Sequence, residues 1–219
     1  MLVSTYISCV RWSFMADFGR ESLSKGCSVT RERILDTAIG LFSTKGYLGT
    51  TTREIARQAG VAEVTLFRHF SSKEKLLEAV ISHYSAIPGL KSFLPRALEM
   101  PYEEALVGMA NLFLDVLIQI KDWIRIMHGE LQRSPDKLLT IYHSFLDQLF
   151  DVFASYFREQ QKRGVVRDFD PDLGARLFHS MFYCFFNMEE LLGRKQYRPT
   201  DRARAVREFV GIFVKGTAP

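Results

Sequence analysis

An all-α fold is predicted by three features of the sequence. Apolar residues recur at the three-and-four spacing of a helix face, the interruptions fall at glycine and proline, and no run alternates as a strand. The first helix reads from 30 to 45, with Ile34, Leu35, Ala38, Leu41 and Phe42 on one stripe and Gly46 at its C-terminal cap. Thr51-x-x-Glu54 has the form of a capping box; it opens a helix of about eight residues that carries Ile55, Ala56 and Ala59 and stops at Gly60. A third helix, near 62–70, carries Leu66, Phe67 and Phe70. Ser71-x-x-Glu74 is a second box, ahead of a longer helix with Leu76, Leu77, Val80, Ile81 and Tyr84 on one face.

Pro88, Gly89 and Pro95 then break the pattern, and a domain seam is expected over 86–101. Beyond it, helices are predicted over 103–120, 122–133, 136–163, 171–192 and 201–215. They are separated by Ser134-Pro135, by Gly164 with Asp170-Pro171, and by Gly193 with Pro199. The chain thus divides into three parts: a flexible arm over 1–29, with Met15 as an alternative start; a small helical domain over 30–85; and a helical bundle over 86–219. The arm is assigned because it mixes serine, glycine and charge without periodicity.

Hydrophobic residues make up 47% of the 219 positions and charged residues 25%, which excludes a disordered chain and fits a globular one. The net charge of +4 permits an anionic partner without requiring one. The longest later apolar run, 181–186, is far below the roughly 20 residues of a membrane span, so no membrane partner is expected. The start lacks a basic segment, a long apolar run and a small-residue cleavage site, so it reads poorly as a signal peptide. Cys9, Cys27 and Cys184 are far apart and odd in number, which gives a reducing cytoplasm as the expected compartment. The five histidines have no metal-binding spacing, and neither a nucleophile motif nor a glycine-rich phosphate loop is present. The expectation is a chain that is not an enzyme, with no catalytic residue, metal or cofactor. Glu103-Glu104 and Glu189-Glu190 read as ordinary surface charges, and Arg194, Lys195, Arg198, Arg202, Arg204 and Arg207 as a solvated loop and helix face.

Two short helices joined by Gly60-Val61 have the geometry of a helix-turn-helix, whose second helix enters the major groove of DNA. Its outward residues Glu63, Val64, Thr65, Arg68 and His69 are polar or small enough to meet base edges and phosphates. The same spacing also suits a plain three-helix bundle with a solvated charged face, so spacing alone leaves both readings open. The residues go further. Thr51-Thr52-Arg53-Glu54-Ile55-Ala56, Ala59-Gly60-Val61, Thr65-Leu66-Phe67-Arg68-His69-Phe70 and Ser72-Lys73-Glu74-x-Leu76-Leu77 closely resemble the tetracycline-repressor (TetR) family. The preceding Ile34-Leu35-x-x-Ala38-x-x-Leu41-Phe42-x-x-x-Gly46-Tyr47 is similar to that family's first helix.

The resemblance implies a homodimeric transcription factor, usually a repressor, that reads a palindromic operator. By position it implies DNA contacts from Thr52 and Arg53 at the start of the second helix. It adds Ala62, Glu63, Val64, Thr65, Phe67, Arg68 and His69 on the third, and Lys73 on the next, gripping phosphate. Cations neutralise phosphates, and arginine also pairs bidentately with guanine. The sequence departs from the family at Phe67, usually a tyrosine whose hydroxyl reaches phosphate, at Ala62, which cannot cap, and at Glu63, often basic. In the bundle, Phe113, Trp123, Tyr142, Phe145 and Phe182 are candidates to line a cavity for a small apolar or aromatic effector. Asp115, Gln119, His128, His143, His179 and Asn187 are candidate orienting groups. Dimerisation is expected through 171–192 and 201–215. Two alternatives remain open: a DNA-binding protein without an inducer, and a helical small-molecule carrier that binds no DNA.

Overall fold

The computed structural model describes residues 25–132 and 136–219. Among these no strand occurs, and the elements are helices α1 (Lys25–Lys45), α2 (Thr52–Gln58), α3 (Glu63–His69), α4 (Lys73–Tyr84), α5 (Ile87–Ala97), α6 (Tyr102–Gln119), α7 (Lys121–Leu131), α8 (Asp136–Lys162), α9 (Pro171–Phe186) and α10 (Arg202–Thr217). The expected arm lies outside the described residues up to position 24, and the chain is helical from Lys25, ahead of the predicted start at Thr30. The chain divides after Arg33, and the unit from Ile34 onward contains both hydrophobic cores.

The predicted stripe of α1 is buried, as are Ile55, Ala56, Leu66, Phe70, Leu76, Leu77 and Val80. They form one largely aliphatic core under α1–α4. Local chemistry sets the helix ends. Thr51 caps α2 by accepting the Glu54 N–H at 3.1 Å, but the Glu54 carboxylate pairs with Lys45 at 2.5 Å instead of completing the box. Gly60 takes φ of +64°, where a side chain is strained, and lets Val61 N–H reach back to the Ala56 carbonyl at 3.0 Å. The second box shifts by one residue: Ser72, not Ser71, caps α4 by accepting the Lys75 N–H at 3.2 Å. Adjacent serines both have the chemistry to cap, so the pattern alone did not fix the register.

The expected break over 86–101 is instead mostly helix α5. Pro88 sits in its first turn, where a missing N–H costs nothing, and Pro95 lies close to its end. Gly89 serves close packing: a Cβ there would lie 2.9 Å from a methyl carbon of Leu112 on α6. The bundle core is aromatic, built on Phe113, Phe153, Phe157, Phe178, Phe182 and Phe213. Asp170 caps α9 through the N–H groups of Asp172 and Leu173, and Asp201 caps α10 through that of Arg204.

The predicted helix 171–192 is α-helical only to Phe186 and then widens into a π-helical turn, Asn187–Leu191. That turn carries Glu189 into a buried position, against the expected surface charge, with Thr200 Oγ1 3.5 Å from its carboxylate. Glu190 pairs with Lys195 at 2.7 Å, and Arg202 with Asp115 at 2.7 Å, so part of the supposedly solvated basic face is tied down.

Candidate DNA-reading face and effector cavity

α2 and α3 meet at the Gly60 turn, and their buried residues leave one outward face. Arg53, Ala62, Val64, Phe67 and Arg68 are exposed on it, while Thr52, Glu63, Thr65, His69 and Lys73 are half-buried. Val64 at 76% and Phe67 at 42% exposure are apolar groups held out by a well-packed core, and contact with thymine methyls suits them. Ala62 makes no side-chain cap, as its chemistry dictates. Thr52 Oγ1 donates to the Glu63 carboxylate at 2.7 Å, an arrangement that links α2 to α3 and restrains the one acidic residue of the face.

Lys73 departs from the exposed phosphate grip expected of it. Its Nζ donates to the Tyr47 carbonyl at 2.5 Å and lies 4.2 Å from the centroid of the Tyr47 ring. Burial lowers the affinity of its ammonium for the proton, while Glu130 and Glu74 act the other way. The Tyr47 phenol is pushed up to about 12, by burial first and then by Glu74 and Glu130.

The same turn is held from the bundle side by Glu130 of α7, which sequence reasoning missed. Its carboxylate accepts the Tyr47 N–H at 2.8 Å and the Leu48 N–H at 2.9 Å. Gly46, at φ of +77°, makes room for it, since a Cβ there would lie 2.4 Å from Oε1. A lone carboxylate on a surface helix carries no sequence signal of such a role; the Gly46-Tyr47 pair was the only hint.

Behind these helices an apolar cavity of about 70 Å³ is walled by α4, α6, α7, α8 and α9. Phe113, Trp123, Tyr142 and Phe145 line it, with Ile81 and Ser85 from the end of α4. Phe182 does not. It is fully buried in the bundle core, its ring 5.0 Å from that of Phe178 and 6.1 Å from that of Phe209. Of the six candidate orienting groups only His128 and His179 reach the cavity, where Tyr183 joins them. Asp115 is exposed and paired with Arg202, Gln119 and His143 are exposed, and Asn187 lies in the π-turn. Among the described residues no cluster suited to a metal ion is found, and no helix is long and apolar enough to cross a membrane.

Two known families match consecutive stretches of the chain. The family described as "Bacterial regulatory proteins, tetR family" matches residues 34–80, and that described as "AefR-like transcriptional repressor, C-terminal domain" matches residues 104–216. The HTH-type transcriptional regulator YvkB of Bacillus subtilis is 31% identical over 189 residues, covering 85% of this chain and 96% of its own. A TetR-family regulator structure from Mesorhizobium loti superposes with a TM-score of 0.69 at 24% identity, over 90% of this chain and all of the other. FadR of Bacillus subtilis, solved with stearoyl-CoA, gives a TM-score of 0.64 at 19% identity, over 84% of this chain and 98% of its own. A short helix pair with an exposed reading face, within the stretch that the first family matches, and a helical bundle that the second family matches place this chain in the TetR family of helix-turn-helix, DNA-binding transcriptional regulators.

Proposed function

We propose that this protein is a repressor that binds a palindromic operator as a homodimer and lets go when a small apolar or aromatic molecule enters the cavity. The observation that carries the DNA reading is the outward face of α2 and α3. Arg53 and Arg68 are exposed there beside Val64 and Phe67, giving cations for phosphates or guanine and apolar groups for thymine methyls. Thr52, Glu63, Thr65 and His69 complete the contact surface from half-buried positions, and Lys73 reaches phosphate only by leaving the Tyr47 carbonyl.

Dimerisation through α9 and α10 is supported by an exposed stripe of Leu173, Leu177, Ser180, Cys184 and Met188 on α9 and its π-turn, with Ile212 on α10. Gly174, Ala175 and Phe213 of the same two helices are buried within the chain. Two recognition helices must sit roughly 34–36 Å apart, or a multiple of that, to enter successive major grooves.

Release has two physical routes. Ile81 and Ser85 place the end of α4 on the cavity wall. α7 contributes Trp123, Met127 and His128 to that wall and, at its far end, Glu130 to the Tyr47 turn. Trp123 and Met127 also pack in the aliphatic core under the reading helices. A ligand acts only by binding one arrangement of these helices better than the other. The cavity, at about 70 Å³, is far below the roughly 300–1,000 Å³ of sites for drug-sized ligands. The long acyl chain that FadR holds therefore suits it poorly.

The test is binding to duplex DNA from upstream of its own gene. Affinity should fall steeply with salt and should localise, by footprinting, to an inverted repeat. Salt-independent binding, or none, refutes the regulator reading.

A further inference from the structure

One end of the cavity is polar in a way that the rest of its wall is not. His179 is buried between three rings, with centroids 5.1 Å from Phe113, 5.1 Å from Phe150 and 5.3 Å from Tyr183, the last nearly parallel. No group among the described residues hydrogen-bonds its ring nitrogens, yet they are not sealed off, because His179 lines the cavity. Next to it the Tyr183 hydroxyl lies 2.5 Å from His128 Nε2 and is hydrogen-bonded with Tyr142. Burial keeps His179 neutral down to a pKa of about 4 and lowers that of His128. The imidazole therefore offers one N–H and one lone pair, both wanting a partner. No lysine, arginine, aspartate or glutamate lines the cavity.

We propose that the effector is a small uncharged aromatic alcohol or phenol, its hydroxyl paired with the unpartnered imidazole of His179 beside Tyr183 and its ring held by Trp123, Phe113 and Phe145. This inference rests on reading the cavity as an effector site. The free space holds about two waters at roughly 30 Å³ each, and such waters satisfy the imidazole when no ligand is bound. A purely hydrocarbon ligand displaces them and leaves the imidazole orphaned, which is unfavourable in a dry site. A carboxylate meets no cation and is desolvated without compensation. A single ring is already larger than two waters, so Tyr142 and Phe145, only half-buried on α8, are the walls that yield to admit it.

The experiment measures direct binding of benzyl alcohol, toluene and benzoate to the full-length protein at pH 7.5, without DNA, by calorimetry and thermal shift. Benzyl alcohol is expected to bind about tenfold more tightly than toluene, the value of one well-made hydrogen bond, and benzoate more weakly than benzyl alcohol. His179→Phe, an aromatic replacement among rings, should bring benzyl alcohol and toluene level. Tyr183→Phe should narrow the gap, and it carries the test if His179→Phe fails to fold. Toluene binding as tightly as benzyl alcohol, benzoate binding best, no probe binding at all, or a preference unchanged in the foldable variants would each overturn the proposal. If benzyl alcohol binds as expected while operator affinity is unaltered, the ligand chemistry stands and the effector role fails.

Discussion

The core beneath the reading helices and the core of the bundle solve packing in different ways. The first is largely aliphatic, built from Leu35, Ile55, Leu66, Leu76 and Val80 on α1–α4, of which α2 and α4 carry side-chain caps. The second is built from phenylalanines on long helices. Small branched side chains fill a short-helix interface densely, which fixes Arg53 and Arg68 in space. Large rings meeting edge to face leave gaps, and here the gap is a cavity with an orphan imidazole at one end. Two helices belong to both: α7, with Trp123 and Met127 in the first core and Ile124 in the second, and α8, with Leu138 in the first and Leu149 in the second. A rigid head and a yielding pocket that share helices are what a ligand-operated DNA reader requires.

The comparison breaks most visibly at Trp123. Trp123→Ala should cost about 3–5 kcal/mol of stability, because it empties a site shared by both regions. The whole unit from Ile34 onward should still melt in one step by denaturant unfolding. A variant that loses only the α1–α4 transition, with the bundle unchanged, would mean that Trp123 serves one core alone.

Acid sharpens it next. His179 is neutral when folded, with a pKa of about 4 against an ordinary 6.5. The unfolded chain therefore binds the extra proton first as pH falls. Stability attached to this group is fully present above pH 6.5 and is lost progressively between there and about 4, a loss approaching 3 kcal/mol. His128 is pushed the same way by burial, so His179→Phe should flatten most of the acid slope but not all of it. Denaturant titrations at pH 7 and pH 5 measure this; equal slopes in wild type and variant refute it. No such pH dependence should come from the aliphatic core.

At the junction, Glu130→Ala strips two backbone N–H groups of their carboxylate and should lower stability by about 1–3 kcal/mol. It should also weaken operator binding, because the Tyr47 turn steadies both α2 and the Lys73 end of α4. Destabilisation with operator affinity unchanged would confine Glu130 to a structural role.

The two regions were also unequally legible. The aliphatic half was readable almost residue by residue, because helical periodicity, capping threonines and positive-φ glycines such as Gly60 act locally. The bundle gave its helix spans but not its interior. Nothing in sequence separates Phe182, sealed in the core, from Phe113 and Phe145 on a cavity wall, since all three lie on apolar faces and only packing distinguishes them. Glu189 looked like a surface charge because a π-turn shifts the helical phase, and Pro88 with Pro95 suggested a break where proline's tolerance of helix ends allowed α5. The half-buried position of Lys73 was not legible because its partner, the Tyr47 carbonyl, is a backbone group that no motif records.

The smallest expected effect is at Phe67, and it tests the reading face without touching either core. Its ring is 42% exposed on α3, next to Arg68, so replacement by tyrosine adds a hydroxyl to solvent and disturbs no packing. Stability should therefore be unchanged to within about 0.5 kcal/mol, the ordinary range for a surface substitution. The family resemblance implies a tyrosine at this position, its hydroxyl reaching a phosphate. A restored hydrogen bond at this solvent-exposed site should tighten operator binding by about 0.5–1.5 kcal/mol. Because phosphate contacts carry no base information, the gain should be similar on operator and on unrelated duplex. A fluorescence-anisotropy titration of both duplexes at fixed salt resolves this. A loss of affinity confined to the operator would instead mean that Phe67 rests on an apolar base edge, with the thymine methyl as its partner, and that the added hydroxyl is desolvated there without a hydrogen-bond acceptor.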